Sequence, residues 1–280
     1  MRLLIAIDGS PNADAALRLG AQLSGAQLFQ GQTSAQPPTV LTVIRRESER
    51  PQTQTTLALA RELLGVKMGE VNTKVRVGRS AEEIVNETRE NRYDLVILGK
   101  SSIQSLFTRF LGSTATQVAA HAPCSVGVAT GEVGTLRRIL VCDSGVHSPS
   151  LLNRFIRQLG DLSARQVTIT VLHVMSQMAA GPSVRGEQLR ADAAALIREH
   201  APEGDLLMED VKVLQKAHIE ALPKVRHGFV VDEILDEARQ GNYDLVVIGA
   251  HKKEGWPDFL LDDLAKQIII QIDRPVLLVR

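Results

Sequence analysis

The apolar residues of this chain fall into short, β-branched runs closed by small or polar residues, as in LLIAIDGS (3–10) and RILVCDSG (138–145). Runs of this kind read as buried strands that end in a loop. In the first half the pattern predicts strands over 3–8, 39–44, 71–77, 93–98 and 124–129. Helices are expected between them, over 12–24, 52–65, 80–92 and 112–121. Pro11 stands near the start of the first helix with Ser10 or Asn12 as its cap, and S-A-E-E from Ser80 is a capping-box pattern. The second half repeats the series, with strands near 138–143, 167–174, 209–214, 243–248 and 275–279. Strands that alternate with helices imply right-handed crossovers and a parallel sheet covered on both faces.

The two halves are copies. Asp8 and Asp143 stand 135 residues apart, whereas VGRSAEEI (77–84) matches HGFVVDEI (227–234) at an offset of 150. YDLVILG (93–99) matches YDLVVIG (243–249) at the same offset, and so do CSVGVA (124–129) and RPVLLV (274–279). The second copy is therefore 15 residues longer, with the addition before residue 228. A duplication predicts two α/β domains, 1–131 and 136–280, each a five-stranded parallel sheet flanked by helices, joined by the connector GEVGTLRR (131–138).

Composition narrows the classes. The 280 residues are 44% apolar and 23% charged, with a formal net charge of zero, which suits a folded protein and gives no basic or acidic footprint for nucleic acid or membrane. Aromatics make up only 3%, so the core rests on aliphatic side chains. No apolar run approaches the roughly 20 residues that span a bilayer. Two cysteines, Cys124 and Cys142, cannot make a disulfide framework or a thiolate zinc site. The expectation is a soluble, cytoplasmic protein.

In an open parallel sheet, ligands sit beyond the carboxyl ends of the strands where the strand order reverses. Asp8-Gly9-Ser10 and Gly99-Lys100-Ser101-Ser102 follow the first and fourth strands, and Gly112-Ser113-Thr114 stands at the start of the next helix. Backbone N–H groups at a helix start attract phosphate, glycine permits close approach, and Ser and Thr hydroxyls donate to phosphate oxygens. The chain has no G-x-x-x-x-G-K-[ST], no G-x-G-x-x-G after a strand and no G-x-S-x-G elbow. Its seven histidines show no H-x-x-x-H spacing, so no metal site is predicted. A loop whose Gly-Ser only caps a helix is the plain alternative.

The tandem repeat, the opening AIDGS, and DLVILG followed by LGSTATQVAAHAPCSV resemble the universal stress protein family over essentially the whole chain. The family's nucleotide-binding members carry G-x2-G-x9-G-[ST] after the fourth strand; Gly99, Gly112 and Ser113 fit that spacing, and Ser102 replaces the second glycine. The resemblance implies two Rossmann-like domains of the adenine nucleotide alpha hydrolase-like kind. It implies adenosine contacts at Ala6, Asp8 and Val43, ribose and phosphate contacts along Leu98, Gly99, Lys100 and Ser102, and phosphate contacts at Gly112, Ser113 and Thr114. The ligand would be ATP, with or without magnesium, or AMP or another adenine nucleotide, held by a stress-response sensor that hydrolyses it slowly at most. It also implies pairing of the last strands, 124–129 and 275–279, as an intrachain pseudo-dimer, with further homo-oligomerisation and the protein partner left open.

The second copy departs further. Lys252, Asp262 and Asp263 stand where the first has Ser102, Gly112 and Ser113. Carboxylates there suit a helix cap and repel a triphosphate. Trp256 with Pro257 is expected to fill the space an adenosine would use. One working site and one disabled copy is the expectation; a nucleotide-independent interaction scaffold, or a hydrolase or transferase on the same fold, are the alternatives.

Overall fold

The computed structural model describes residues 1–28, 36–68, 70–100, 114–143, 151–159, 166–176, 191–250 and 263–280. In the first half β1 (Leu3–Ile7) leads to α1 (Pro11–Leu28), β2 (Thr39–Ile44), a 3-10 turn (Glu47–Glu49), α2 (Arg50–Met68), β3 (Asn72–Val77), α3 (Ser80–Asn91), β4 (Leu95–Gly99), α4 (Thr114–His121) and β5 (Ser125–Ala129). The second half runs β6 (Arg138–Cys142), α5 (Leu151–Leu159), β7 (Thr168–Met175), α6 (Ala193–Arg198), α7 (Pro202–Lys216), β8 (Glu220–His227), α8 (Val230–Gln240), β9 (Leu245–Gly249), α9 (Asp263–Gln271) and β10 (Val276–Val279).

All ten strands form one sheet in the order β3-β2-β1-β4-β5-β10-β9-β6-β7-β8. Each half is parallel, and the halves join where β5 and β10 pair antiparallel, with Leu277 opposite Gly127. These are the two segments expected to meet. The continuous apolar runs are explained by burial on both faces: Leu3, Ile5 and Ile7 of β1 enter one core, and Leu4 and Ala6 the other. The first core lies under α1, α2, α5 and α7, the second under α3, α4, α8 and α9, and each continues across both halves.

The repeated YDL triplets are structural. Asp94 accepts from the Arg2 amide at 2.6 Å, and Asp244 accepts from the amides of Arg137 and Arg138 at 2.8 Å, so each pins the start of its half's first strand. Tyr93 and Tyr243 each donate a hydroxyl to a buried glutamate, Glu87 at 3.0 Å and Glu237 at 2.9 Å. The glycines of the matched VGR and HGF segments are also accounted for: a Cβ on Gly78 would lie 2.8 Å from Glu83 Cγ, and one on Gly228 2.6 Å from Glu233 Oε1.

Two local expectations are corrected. Residues 209–214, read as a strand, belong to helix α7; Leu207, Val211 and Leu214 are buried at helical spacing and Pro202 opens the helix at its first turn. The strand is β8, at the sheet edge, where a half-exposed face and Pro223 hide its alternation and the edge tolerates a proline. The capping box at Ser80 is not formed: Arg79 holds the N-cap position with no side-chain bond, and the Glu83 carboxylate accepts from Arg76 Nε at 2.7 Å instead of reaching back.

Candidate functional site

The switch point of the first half lies between β1 and β4, because β1 continues outward to β2 and β4 inward to β5. The register puts Ala6 beside both Leu41 and Leu98, and Ile7 beside Thr42. Asp8, Val43 and Gly99 therefore meet at one carboxyl edge of the sheet. The turn after β1 is tight: Asp8 Oδ1 accepts from the Ser10 amide at 3.0 Å, Gly9 takes φ +74°, and α1 begins at Pro11. Asp8 itself is exposed, and Val43 is half-buried.

Ala6 and Leu98 spend their side chains in the core, so they can offer a ligand only backbone. Gly99 is required by packing, since a Cβ there would lie 2.5 Å from the carbonyl oxygen of Asn12 in the first turn of α1. Gly249, its counterpart, has nothing nearer than 3.6 Å. Thr114 opens α4 and is half-buried. Ser102, Gly112 and Ser113 lie outside the described residues, as do Lys252, Trp256 and Asp262.

The Lys100 side chain turns toward the second half. Its ammonium donates to the carbonyls of Ile270 and Ile272 at the end of α9, both at 2.7 Å. Burial pushes that amine below its ordinary range, with Asp273 nearby opposing the shift. Sequence gave no sign of this, because the acceptors are backbone atoms 170 and 172 residues away.

A groove of about 570 Å³ opens between α1 and α2 beside this turn, lined by Ile7, Gly9, Ser10, Leu17, Thr56, Leu59 and Ala60 among others. In the second half, Asp210 of α7 is buried with Oδ2 unpaired. Burial first, then the charges of Asp143 and Glu209, push its carboxyl up to about 7. Asp143, the counterpart of Asp8, offers its carbonyl to His173 Nδ1 at 3.2 Å. Asp263 heads α9 and is exposed, as expected of a helix-start carboxylate. The equivalent corner of the second half is thus acidic, and sequence reasoning missed Asp210 because the segment was read as a strand.

Among the described residues, no three His, Cys, Asp or Glu side chains gather to hold a metal. Burial pushes the Cys124 thiol up to about 12 and the Cys142 thiol upward as well, so neither is a nucleophile near neutral pH.

The comparison with known proteins matches this architecture twice over: the model of the universal stress protein family fits residues 1–129 and again 135–280. The chain belongs to the universal stress protein family. A universal stress protein of Mycolicibacterium smegmatis is 24% identical over 295 aligned positions, which cover 99% of this chain and 96% of that one. In fold, the chain is similar to a universal stress protein of Archaeoglobus fulgidus, with a TM-score of 0.70 at 16% identity over 100% of this chain and 96% of the other. A functionally unknown protein of Pseudomonas aeruginosa has a TM-score of 0.66 at 18% identity, over 100% and 92%. As a universal stress protein, this chain carries two units of the family fold in tandem, back to back through β5 and β10.

Proposed function

We propose that the first unit, 1–131, binds ATP or a related adenine nucleotide at the β1/β4 switch point, and that the second, 136–280, does not. The observation that carries this is the meeting of Asp8, Val43 and Gly99 at one carboxyl edge, beside the tight start of α1. Asp8 supplies an exposed carboxylate for a ribose or adenine donor, Val43 its backbone for the base, and the β4 end bare backbone for the ribose. Gly112, Ser113 and Thr114 hold the phosphates, Thr114 being the residue that opens α4, with no direct charge from Lys100. Magnesium, where present, arrives on the phosphates.

Smaller universal stress proteins have been solved with cAMP and, from Archaeoglobus fulgidus, with dAMP. That binding belongs to those proteins; the support for this chain is its own cleft. We read the module as a stress-response sensor of the cytoplasm. The test is displacement of a fluorescent adenine nucleotide from the whole protein. ATP, AMP and cAMP should compete at graded strengths and GTP should fail. Equal competition by GTP, or no uptake of the probe, contradicts the reading.

A nucleotide-independent scaffold is the second reading, favoured by the commitment of Lys100 to α9 and by the acidic corner around Asp210. It predicts no displacement and an unchanged melting temperature with any nucleotide.

A further inference from the structure

The two units exchange helix caps. The last carbonyls of a helix have no partner within it and carry the negative end of its dipole, so a cation placed there is stabilising. Lys100 of the first unit serves α9 of the second through Ile270 and Ile272. Arg280 of the second unit serves α4 of the first, donating to the carbonyl of Ala119 and, at 3.5 Å, to that of Cys124. The exchange is not a product of the pseudo-symmetry: the counterpart of Lys100 is Ala250, which keeps the backbone bond to Val279 but has no side-chain donor, and the counterpart of Arg280 is Thr130.

Lys100 is also the residue next to Gly99, and its own backbone is fixed. Its amide donates to the Ala129 carbonyl at 2.7 Å, and Gly99 is wedged against Asn12 of α1. The end of β4 is thereby held on three sides: by β5, by the start of α1, and through the lysine side chain by α9. A ligand that reads the backbone from Leu98 to Lys100 meets it in this clamped form.

We propose that Lys100 is a positioning residue that links occupancy of the first unit's cleft to the last turn of α9 in the second. The inference rests on the nucleotide reading above. Its consequence is that the second unit, with its own cleft acidic, serves as the anchor of the first unit's site and is the part of the molecule that feels the ligand. Linkage makes the effect mutual: a nucleotide that prefers the clamped form stabilises the cap on α9, and losing the cap weakens the nucleotide by the same factor.

The test uses the full chain and ATP. Hydrogen exchange is followed over 266–274 with and without ATP, in the wild type and in Lys100→Met, with calorimetry on both and Lys100→Arg as the variant that keeps a cation. ATP should slow exchange at the end of α9 in the wild type and leave it unchanged in Lys100→Met. ATP affinity should fall roughly tenfold in that variant, within the usual range of coupling between sites, and recover in part in Lys100→Arg. Binding of ATP with no response at 266–274, or wild-type affinity in Lys100→Met, overturns the proposal and leaves the nucleotide reading standing. Absence of any ATP binding to the wild type overturns both, and calorimetry distinguishes that case. Should Lys100→Met not fold, the wild-type exchange comparison alone decides.

Discussion

Arg76 donates from Nη1 to Oε2 of Glu87 at 3.0 Å, and 150 residues later Arg226 makes the same bond to Glu237 at 2.8 Å. Each glutamate is buried and is also served by a lysine, Lys74 or Lys224, and by the tyrosine of its YDL triplet. The pairs tie the third strand of each unit to the following helix. Removing the glutamate leaves three donors facing a buried hole, which costs far more than losing a surface ion pair. Glu237→Ala should lower stability by about 2–4 kcal/mol in a denaturant titration, the lysine's partial exposure holding the figure toward the low end. A loss no larger than that of an exposed pair such as Asp236 with Arg239 contradicts this.

The same glutamates give an acid limit to stability. Burial raises their pKa, but hydrogen bonds from the lysine, arginine and tyrosine outweigh it and hold both carboxyls below the ordinary range. A depressed folded pKa means that the contribution is whole above the unfolded glutamate value, near pH 4, and is lost as pH falls through the lowered value. Melting temperatures should fall below about pH 4 in the wild type, and less steeply in Glu237→Gln.

Asp210 acts in the opposite sense. Its carboxyl is pushed up to about 7, so the folded state holds a proton that the unfolded chain releases near pH 4. Stability from this residue therefore declines as pH rises from about 4 toward 7. Asp210→Asn should melt higher than the wild type at pH 8, with the gap closing toward pH 4. A gap that is absent at pH 8, or equal at both, refutes the assignment.

Gly99 and Gly249 match in sequence but differ in need. An alanine at 99 places its Cβ against the Asn12 carbonyl of α1, whereas at 249 it makes only ordinary contact. Gly99→Ala should cost roughly 1–3 kcal/mol through strain at the start of α1, and Gly249→Ala should be close to neutral. Chemical denaturation of the two variants side by side reads the difference.

The Cys124 thiol should not react in the folded protein. Maleimide at pH 7.5 should label Cys124 only after denaturant is added, since the residue is buried and burial raises its thiol.

Much of the fold was legible because buried parallel strands are continuous apolar runs, and β1, β2, β4 and β5 announce themselves in that way. The duplication made each reading count twice. β8 was not legible: an edge strand with Pro223, Lys224 and Arg226 has no apolar run, and the neighbouring Val211 and Val213 of α7 imitate an alternation. At the cleft, Asp8, Val43 and Gly99 come together by topology, which strand order alone predicts. The direction of Lys100 was hidden, because sequence shows the cation but not the backbone carbonyls that hold it. Asp210 was hidden by the misread helix, and with it the acidity of the second unit's corner.

The central claim is one nucleotide per chain, in the first unit. Calorimetric titration of nucleotide-free protein with ATP tests it most directly, with Gly112→Asp as the control. The account predicts a single site per chain that the substitution abolishes. Two equivalent sites, or a single site that survives Gly112→Asp unchanged, would contradict it.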